Sequence, residues 1–221
     1  MVPGVTTVQA VVFDMDGLLL DTERLALAAF EQTCTHFTLG DQRAVFNRCV
    51  GTSHVRGTEV LREGLGHLVD PAEFRRLWDD RYAEITTRPI PLKTGASELL
   101  STLAQRGIPA AVATSTRTAQ AERHLRHTGI LDAFATVIGG DQVERGKPHP
   151  DIYLKAVAAL GAVPAVCLAL EDSENGVRAA VAAGLVVFQI PDLIPPSSDL
   201  LALGHQVRES LAHVRAELFS A

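Results

Sequence analysis

The sequence predicts an α/β fold: an open, doubly wound parallel sheet with an all-helical module inserted into it. Three observations carry this. Five short segments are apolar throughout rather than alternating, as suits strands covered on both faces. Helical patterns lie between most of them. Polar clusters close three of the strands at their C-terminal ends, where ligands bind in such sheets.

The first strand is Val8–Phe13, ended by the acidic turn Asp14-Met15-Asp16-Gly17. Residues 22–88 then break the rhythm with no convincing strand. Thr22–Thr35, Ser53–Leu65 and Pro71–Thr86 read as helices, and Pro89 and Pro91 bracket the return of the chain and would stiffen a hinge. The reading is a core of residues 1–21 and 89–221 with a helical cap of residues 22–88. Back in the core, Gly95–Arg106 is a helix with Leu99, Leu100 and Leu103 on one face, and Ile108–Ala113 is a strand ending at Thr114-Ser115-Thr116. Thr118–His127 is a helix, Phe134–Ile138 a weaker strand, and Pro150–Leu160 a helix. Val166–Leu170 is a strand ending at Glu171-Asp172-Ser173. Asn175–Ala183 is a helix stopped by Gly184, a natural C-terminal glycine. Val186–Ile190 is the last strand, and Pro195–Ser198 reads as a loop.

The 221 residues include 20 Lys and Arg against 26 Asp and Glu, a formal charge of −6. That balance argues against a nucleic-acid or anionic-membrane surface, though a bound cation can still draw in an anionic substrate. Cys34, Cys49 and Cys167 have neither zinc-site nor disulfide spacing and read as buried free thiols. There is no charged leader ahead of an apolar stretch at Met1–Gly4, and no apolar run long enough to span a bilayer. The expectation is a soluble cytoplasmic protein, monomer or homodimer.

Four acids, Asp14, Asp16, Glu171 and Asp172, fall at strand ends. Carboxylates packed together are costly, so one must take a proton or a cation must bind. Mg²⁺ suits two or three carboxylates with water and phosphate. Asp14 could attack phosphorus and form an aspartyl-phosphate. Asp16, if Gly17 lets the turn re-aim it, could protonate the leaving oxygen and then deprotonate water. Lys147 could offset negative charge, and Thr114 could donate its hydroxyl to a phosphate oxygen.

These residues carry a family resemblance. Phe13–Glu23, Ala113-Thr114-Ser115, Gly146-Lys147-Pro148 and Leu170–Ser173 resemble, in order, the four motifs of the haloacid dehalogenase-like hydrolases. The match is closest to the helical-cap subgroup of phosphoglycolate phosphatases and β-phosphoglucomutases. The resemblance implies a Rossmann-like core. It implies Asp14 as phosphorylated nucleophile and Mg²⁺ ligand, and Asp16 as general acid and base whose backbone carbonyl also binds the metal. It further implies Thr114, with Ser115 beside it, as phosphoryl ligand and Lys147 as charge stabiliser. Asp172 would ligate Mg²⁺, with Glu171 a ligand directly or through water. Within the family, Asp16 argues against dehalogenation. The absence of lysine from residues 22–88 argues against phosphonate hydrolysis through a Schiff base. β-Phosphoglucomutases carry a cap histidine shortly after the Asp-Thr of the first motif, and Asp21–Ala26 has none. The function expected is therefore hydrolysis of a small phosphorylated metabolite, with a phosphosugar mutase as the alternative and a non-catalytic binding scaffold as the contrary reading.

Outside the motifs, His54 and Arg56 lie in a cap segment that resembles the family's substrate-facing loop, Arg56 facing an anionic group. Asp21 and Glu23 read equally as helix caps or ligand contacts, Ser173 and Asn175 as caps of the following helix, and Asp141 as a turn residue. His149 reads as structural. His36, His67, His124, His127, His205 and His213 read as solvated, and Trp78 and Tyr82 as cap core.

Overall fold

In the computed structural model, which describes residues 8–52 and 54–219, β1 (Ala10–Phe13) runs through the middle of the sheet. All four of its residues are buried, Val11 and Phe13 toward one layer of helices and Ala10 and Val12 toward the other. Ser53, the expected first residue of a helix, and the Met1–Gly4 terminus lie outside the described residues. The other strands are β2 (Ala110–Thr114), β3 (Thr136–Gly139), β4 (Cys167–Glu171), β5 (Val186–Gln189) and β6 (Gln206–Val207). They pair in the order β3-β2-β1-β4-β5-β6, every pair parallel. The chain thus steps outward from β1 through β2 to β3, then returns to β4 on β1's other side. That reversal opens a crevice at the C-terminal ends of β1, β2 and β4.

Of the core helices α5 (Ala96–Gln105), α6 (Thr118–His127), α7 (Asp151–Ala159), α8 (Glu174–Ala182), α9 (Ser198–Leu201) and α10 (Leu211–Phe219), three cover each face. Leu99, Leu103, Leu125, Leu211 and Val214 pack on Phe13 and Val112, whereas Ile152, Tyr153, Val157, Val177 and Leu200 pack on Val12 and Ala169. Between β1 and α5 come α1 (Thr22–His36), α2 (Arg43–Cys49), α3 (His54–Leu65) and α4 (Pro71–Ile85), which bury a third cluster of their own. Phe30 is its hub, with ring centroids 5.4 Å from Phe46, 5.3 Å from Phe74 and 5.2 Å from Trp78. The Trp78 indole N–H donates to the Ala26 carbonyl at 2.9 Å. Asp70 caps α4 by accepting the Ala72 N–H, with Pro71 at the first helical position.

Several expectations change. α2, α9, β6 and α10 join the fold where the sequence reading has no element. Ser198 is helical rather than loop, because Ser197 caps α9 by accepting the Leu200 N–H. His124 is buried instead of solvated, its ring edge-on to Tyr82 at 6.4 Å. His205 is half-buried against the Gln189 side chain, and Cys49 is half-buried rather than buried. Asp141 is more than a turn residue, since it accepts from both the N–H and the hydroxyl of Thr118 and so caps α6 from a neighbouring loop. No described helix is long and apolar enough to cross a membrane.

Trp78 is the single tryptophan of the chain, so its fluorescence reports the helical insert. Phe30→Ala is expected to lower the unfolding free energy read from Trp78 in urea by about 3–5 kcal/mol. A loss below about 1 kcal/mol would show that the ring is not the hub of this cluster.

Candidate active site

Four chain segments meet in the crevice. At the end of β1, the Asp14 N–H donates to the Leu170 carbonyl of β4, which points the Asp14 side chain out of the sheet edge. The next residues turn back on themselves, with the Gly17 N–H on the Leu20 carbonyl and the Leu19 and Leu20 N–H groups on the Met15 carbonyl. Gly17 holds φ +83°, and a Cβ there would stand 2.3 Å from Asp172 Oδ2. The position therefore needs glycine twice, for its dihedral and for the approach of a carboxylate. This turn re-aims Asp16 toward the end of β2, where Oδ2 accepts from the hydroxyls of Thr114 at 3.1 Å and Thr116 at 2.7 Å. Thr114 in turn accepts the Thr116 N–H at 3.1 Å.

Lys147 stands between the ends of β1 and β4. Its ammonium donates to Asp14 Oδ1 and to Glu171 Oε1, both at 2.5 Å, with almost no solvent contact on any of the three side chains. Burial opposes the charge on Lys147, but Asp14 and Glu171 outweigh it and hold the ammonium above the ordinary lysine range. Glu171 is held by every donor around it. Oε1 also accepts from the Tyr153 hydroxyl at 2.7 Å, while Oε2 accepts from the Asp172 and Ser173 N–H groups and the Ser173 hydroxyl, each at 3.1 Å. Gly176 leaves room for this carboxylate, because a Cβ there would lie 1.7 Å from Glu171 Oε1. Ser173 does cap α8, accepting from the Gly176 N–H.

Asp14, Glu171 and Asp172 bring carboxylate oxygens within 4.8 Å of one another, all buried. Desolvation lifts the Asp14 carboxyl well above the usual range; Lys147 opposes this and the neighbouring acids add to it. Desolvation likewise raises Asp172, reinforced by Asp14, Glu171 and Glu23. An all-oxygen donor set that is unfavourable as bare anions fits a hard divalent cation. Asp14 and Asp172 have oxygens to offer it, whereas five protein donors already occupy Glu171.

Above the acids lies a cleft of about 460 Å³, walled by the core on one side and by α1–α4 on the other. Asp14, Asp16, Thr114, Ser115, Lys147, Asp172 and His54 all border it. Arg56 does not. It pairs with Glu59 and Glu63 and borders an adjoining cavity of about 410 Å³, which shares Thr52 and Lys147 with the cleft. Asp21 makes no capping bond; it pairs with Lys93 and Arg24 at 3.5 Å. Asn175 does not cap α8 but donates to the Gly51 carbonyl at 3.4 Å, tying the core to the insert. Glu23 accepts the Gly51 N–H from the same loop.

The sequence reading does not single out Tyr153, Thr116, Gly176 or Arg75, the last an α4 residue on the cleft wall. Tyr153 has the spacing of an ordinary helix core residue and Thr116 that of a turn residue. Neither pattern announces a hydroxyl aimed at an acid.

Burial raises the Glu23 carboxyl to about 8, and Asp16 and Asp192 push the same way. A carboxyl raised on folding favours the folded state at low pH and loses that contribution as pH climbs to the folded value. In chelator-treated protein, the thermal midpoint of Glu23→Gln is therefore expected to fall less than wild type between about pH 5 and pH 8. Parallel pH curves would contradict the burial of this charge.

Comparison with known proteins places this geometry. A family model described as haloacid dehalogenase-like hydrolase matches residues 8–184. The phosphorylated carbohydrates phosphatase of Thermotoga maritima is 32% identical over 80% of this chain and 82% of its own length. The β-phosphoglucomutase of Bacillus subtilis is 30% identical over 80% of each chain. The crystal structure of CbbY from Rhodobacter sphaeroides in complex with phosphate superposes with TM-score 0.74 and 30% identity, over 94% of this chain and 96% of that one. With its six-stranded parallel sheet, its four helices inserted after β1 and a family match over most of its length, the chain belongs to the haloacid dehalogenase-like hydrolases.

Proposed function

We propose that the chain is a Mg²⁺-dependent phosphatase of a small phosphorylated metabolite, a sugar phosphate or similar, working through an aspartyl-phosphate on Asp14. The observation that carries the reading is the buried Lys147 bridging Asp14 and Glu171, beside Asp172 and at the floor of the cleft. Asp14, Asp172 and the Asp16 backbone carbonyl would hold the metal, with Glu171 acting through the groups it fixes. When bound, Mg²⁺ offsets the carboxylates and withdraws charge from the phosphoryl oxygens.

Asp14 attacks phosphorus as the bond to the leaving oxygen breaks, and Asp16 gives that oxygen its proton. Asp16 then takes a proton from water, which attacks the phosphorus and frees Asp14 and inorganic phosphate. Lys147 opposes the desolvation that would protonate Asp14 and would neutralise charge on the transferring group. Thr114 has one hydroxyl hydrogen, now on Asp16. Turning it to a phosphoryl oxygen, with Ser115 alongside, leaves Thr116 to hold Asp16 in place. The helices α1–α4 act as a cap docked through Gly51, with His54 on the substrate side. The free thiols of all three cysteines suit a reducing, cytoplasmic setting.

The mutase reading has a named relative behind it. Against it, Thr22, Glu23 and Ala26 are what the start of α1 presents to the cleft, and no histidine stands between residues 21 and 26. Incubation with β-glucose 1-phosphate separates the two: release of inorganic phosphate is expected, and conversion to the 6-phosphate would establish the mutase.

Asp14→Asn is expected to lose about three orders of magnitude or more in aryl-phosphate turnover while keeping its circular dichroism spectrum. Wild-type turnover in that variant would remove Asp14 from the mechanism. Excess chelator is expected to stop wild-type turnover and added Mg²⁺ to restore it. Undiminished turnover in chelator would exclude the metal.

A further inference from the structure

β5 is apolar until its last residue, where a glutamine takes a buried place: Gln189 is 1% exposed. A buried amide costs free energy unless its donors and acceptor are bonded, so its partners say what it is for. The backbone ladder pairs Glu171 of β4 with Gln189 and ends where the Ile190 N–H donates to the Glu171 carbonyl at 2.6 Å. The next carbonyl along is that of Asp172, past the end of the ladder. The Gln189 side chain supplies its rung, Nε2 donating to the Asp172 carbonyl at 3.0 Å.

That bond fixes which way the amide faces. A carbonyl only accepts, so Nε2 points at Asp172 and Oε1 is left to accept. Oε1 meets His205 Nε2 at 2.8 Å, and the imidazole must carry its hydrogen there. His205 immediately precedes β6, which pairs with β5 and is followed by an Arg208 N–H on the Gln189 carbonyl at 2.8 Å. The two-residue edge strand thus places the imidazole that holds the amide.

The backbone of Asp172 is therefore pinned on both sides. Its N–H donates to Glu171 Oε2 at 3.1 Å, and its carbonyl accepts from Gln189. Its carboxylate has little latitude, because Oδ2 stands 2.3 Å from where a Cβ at Gly17 would lie. We propose that Gln189 is a positioning residue for the metal site: it sets the backbone of Asp172 so that the carboxylate meets Asp14, and His205 locks the orientation of the amide. The proposal rests on the reading of Asp14 and Asp172 as the cation's ligands and adds the outer residues that aim one of them.

The test is binding of Mn²⁺, which takes the same oxygen ligands as Mg²⁺, to chelator-stripped protein, with free Mn²⁺ read by electron paramagnetic resonance. Wild type is compared with Asp172→Asn, Gln189→Met and His205→Phe, each checked for its fold by circular dichroism. Met keeps the length of Gln without a donor, and Phe keeps a ring without the N–H. Wild type is expected to bind Mn²⁺ at a site that Asp172→Asn loses. Gln189→Met should raise the dissociation constant about tenfold, the size expected when an outer partner of a metal ligand is removed. His205→Phe should raise it about threefold, the effect of one neutral hydrogen bond. A glutamine that served only the stability of the strand would lower the thermal midpoint in chelator and leave the Mn²⁺ constant where it was. A constant in Gln189→Met within about twofold of wild type overturns the proposal, and an unmoved constant in His205→Phe removes the imidazole from it. Should Gln189→Met not fold, His205→Phe decides alone. If wild type shows no Mn²⁺ binding that depends on Asp172, the metal part of the phosphatase reading has failed and the proposal falls with it. Wild-type binding that Gln189→Met leaves intact overturns the proposal and spares that reading.

Discussion

Three buried carboxylates, those of Asp14, Glu171 and Asp172, share a space less than 5 Å across, and the end of the sheet is arranged around tolerating them. Isolated anions in such a place would protonate or drive the fold apart. Lys147 compensates part of the charge by touching two of the three acids. Tyr153, Ser173 and two backbone N–H groups saturate Glu171. What remains unsatisfied belongs to Asp14 and Asp172, and that residual demand is what the proposed cation and phosphoryl group would meet.

The same constraint reaches into the fold. Asp14 and Glu171 converge because β1 and β4 are parallel neighbours with Phe13 opposite Leu170. Gly17 and Gly176 are fixed by carboxylates that would collide with any side chain. Lys147 leads into α7, which supplies Tyr153. On the insert side, Gly51 meets Glu23, Ser173 and Asn175, so the helical layer rests on the residues that follow β4.

The sheet and the acids were legible because they rest on local pattern. Five apolar runs and the acidic turns after them need no tertiary knowledge, and each expected strand overlaps an observed one. The elements that escaped are those whose signal is weak or tertiary. β6 has two residues and forms only by adding to β5. α10 is held by packing under α5. His124 reads as a surface histidine until Tyr82 of the insert covers it. In the site, the motif residues border the crevice, while partnerships between distant segments did not show. Thr116 on Asp16, Tyr153 on Glu171 and Asn175 on Gly51 each join residues that no spacing rule connects. Arg56 lines the adjoining cavity, which also reaches Thr52 and Lys147, and not the main cleft that His54 borders.

The central claim is that Asp14 is the atom donor to phosphorus, with Lys147 and Asp172 arranged to make it one. Rapid-quench mass spectrometry of the protein mixed with Mg²⁺ and an aryl phosphate tests this most directly. A transient mass increase of one phosphoryl group on the peptide containing Asp14, absent in Asp14→Asn, is the expected result. Phosphate release in a single turnover with no adduct on that peptide, or an adduct on another residue, would contradict it.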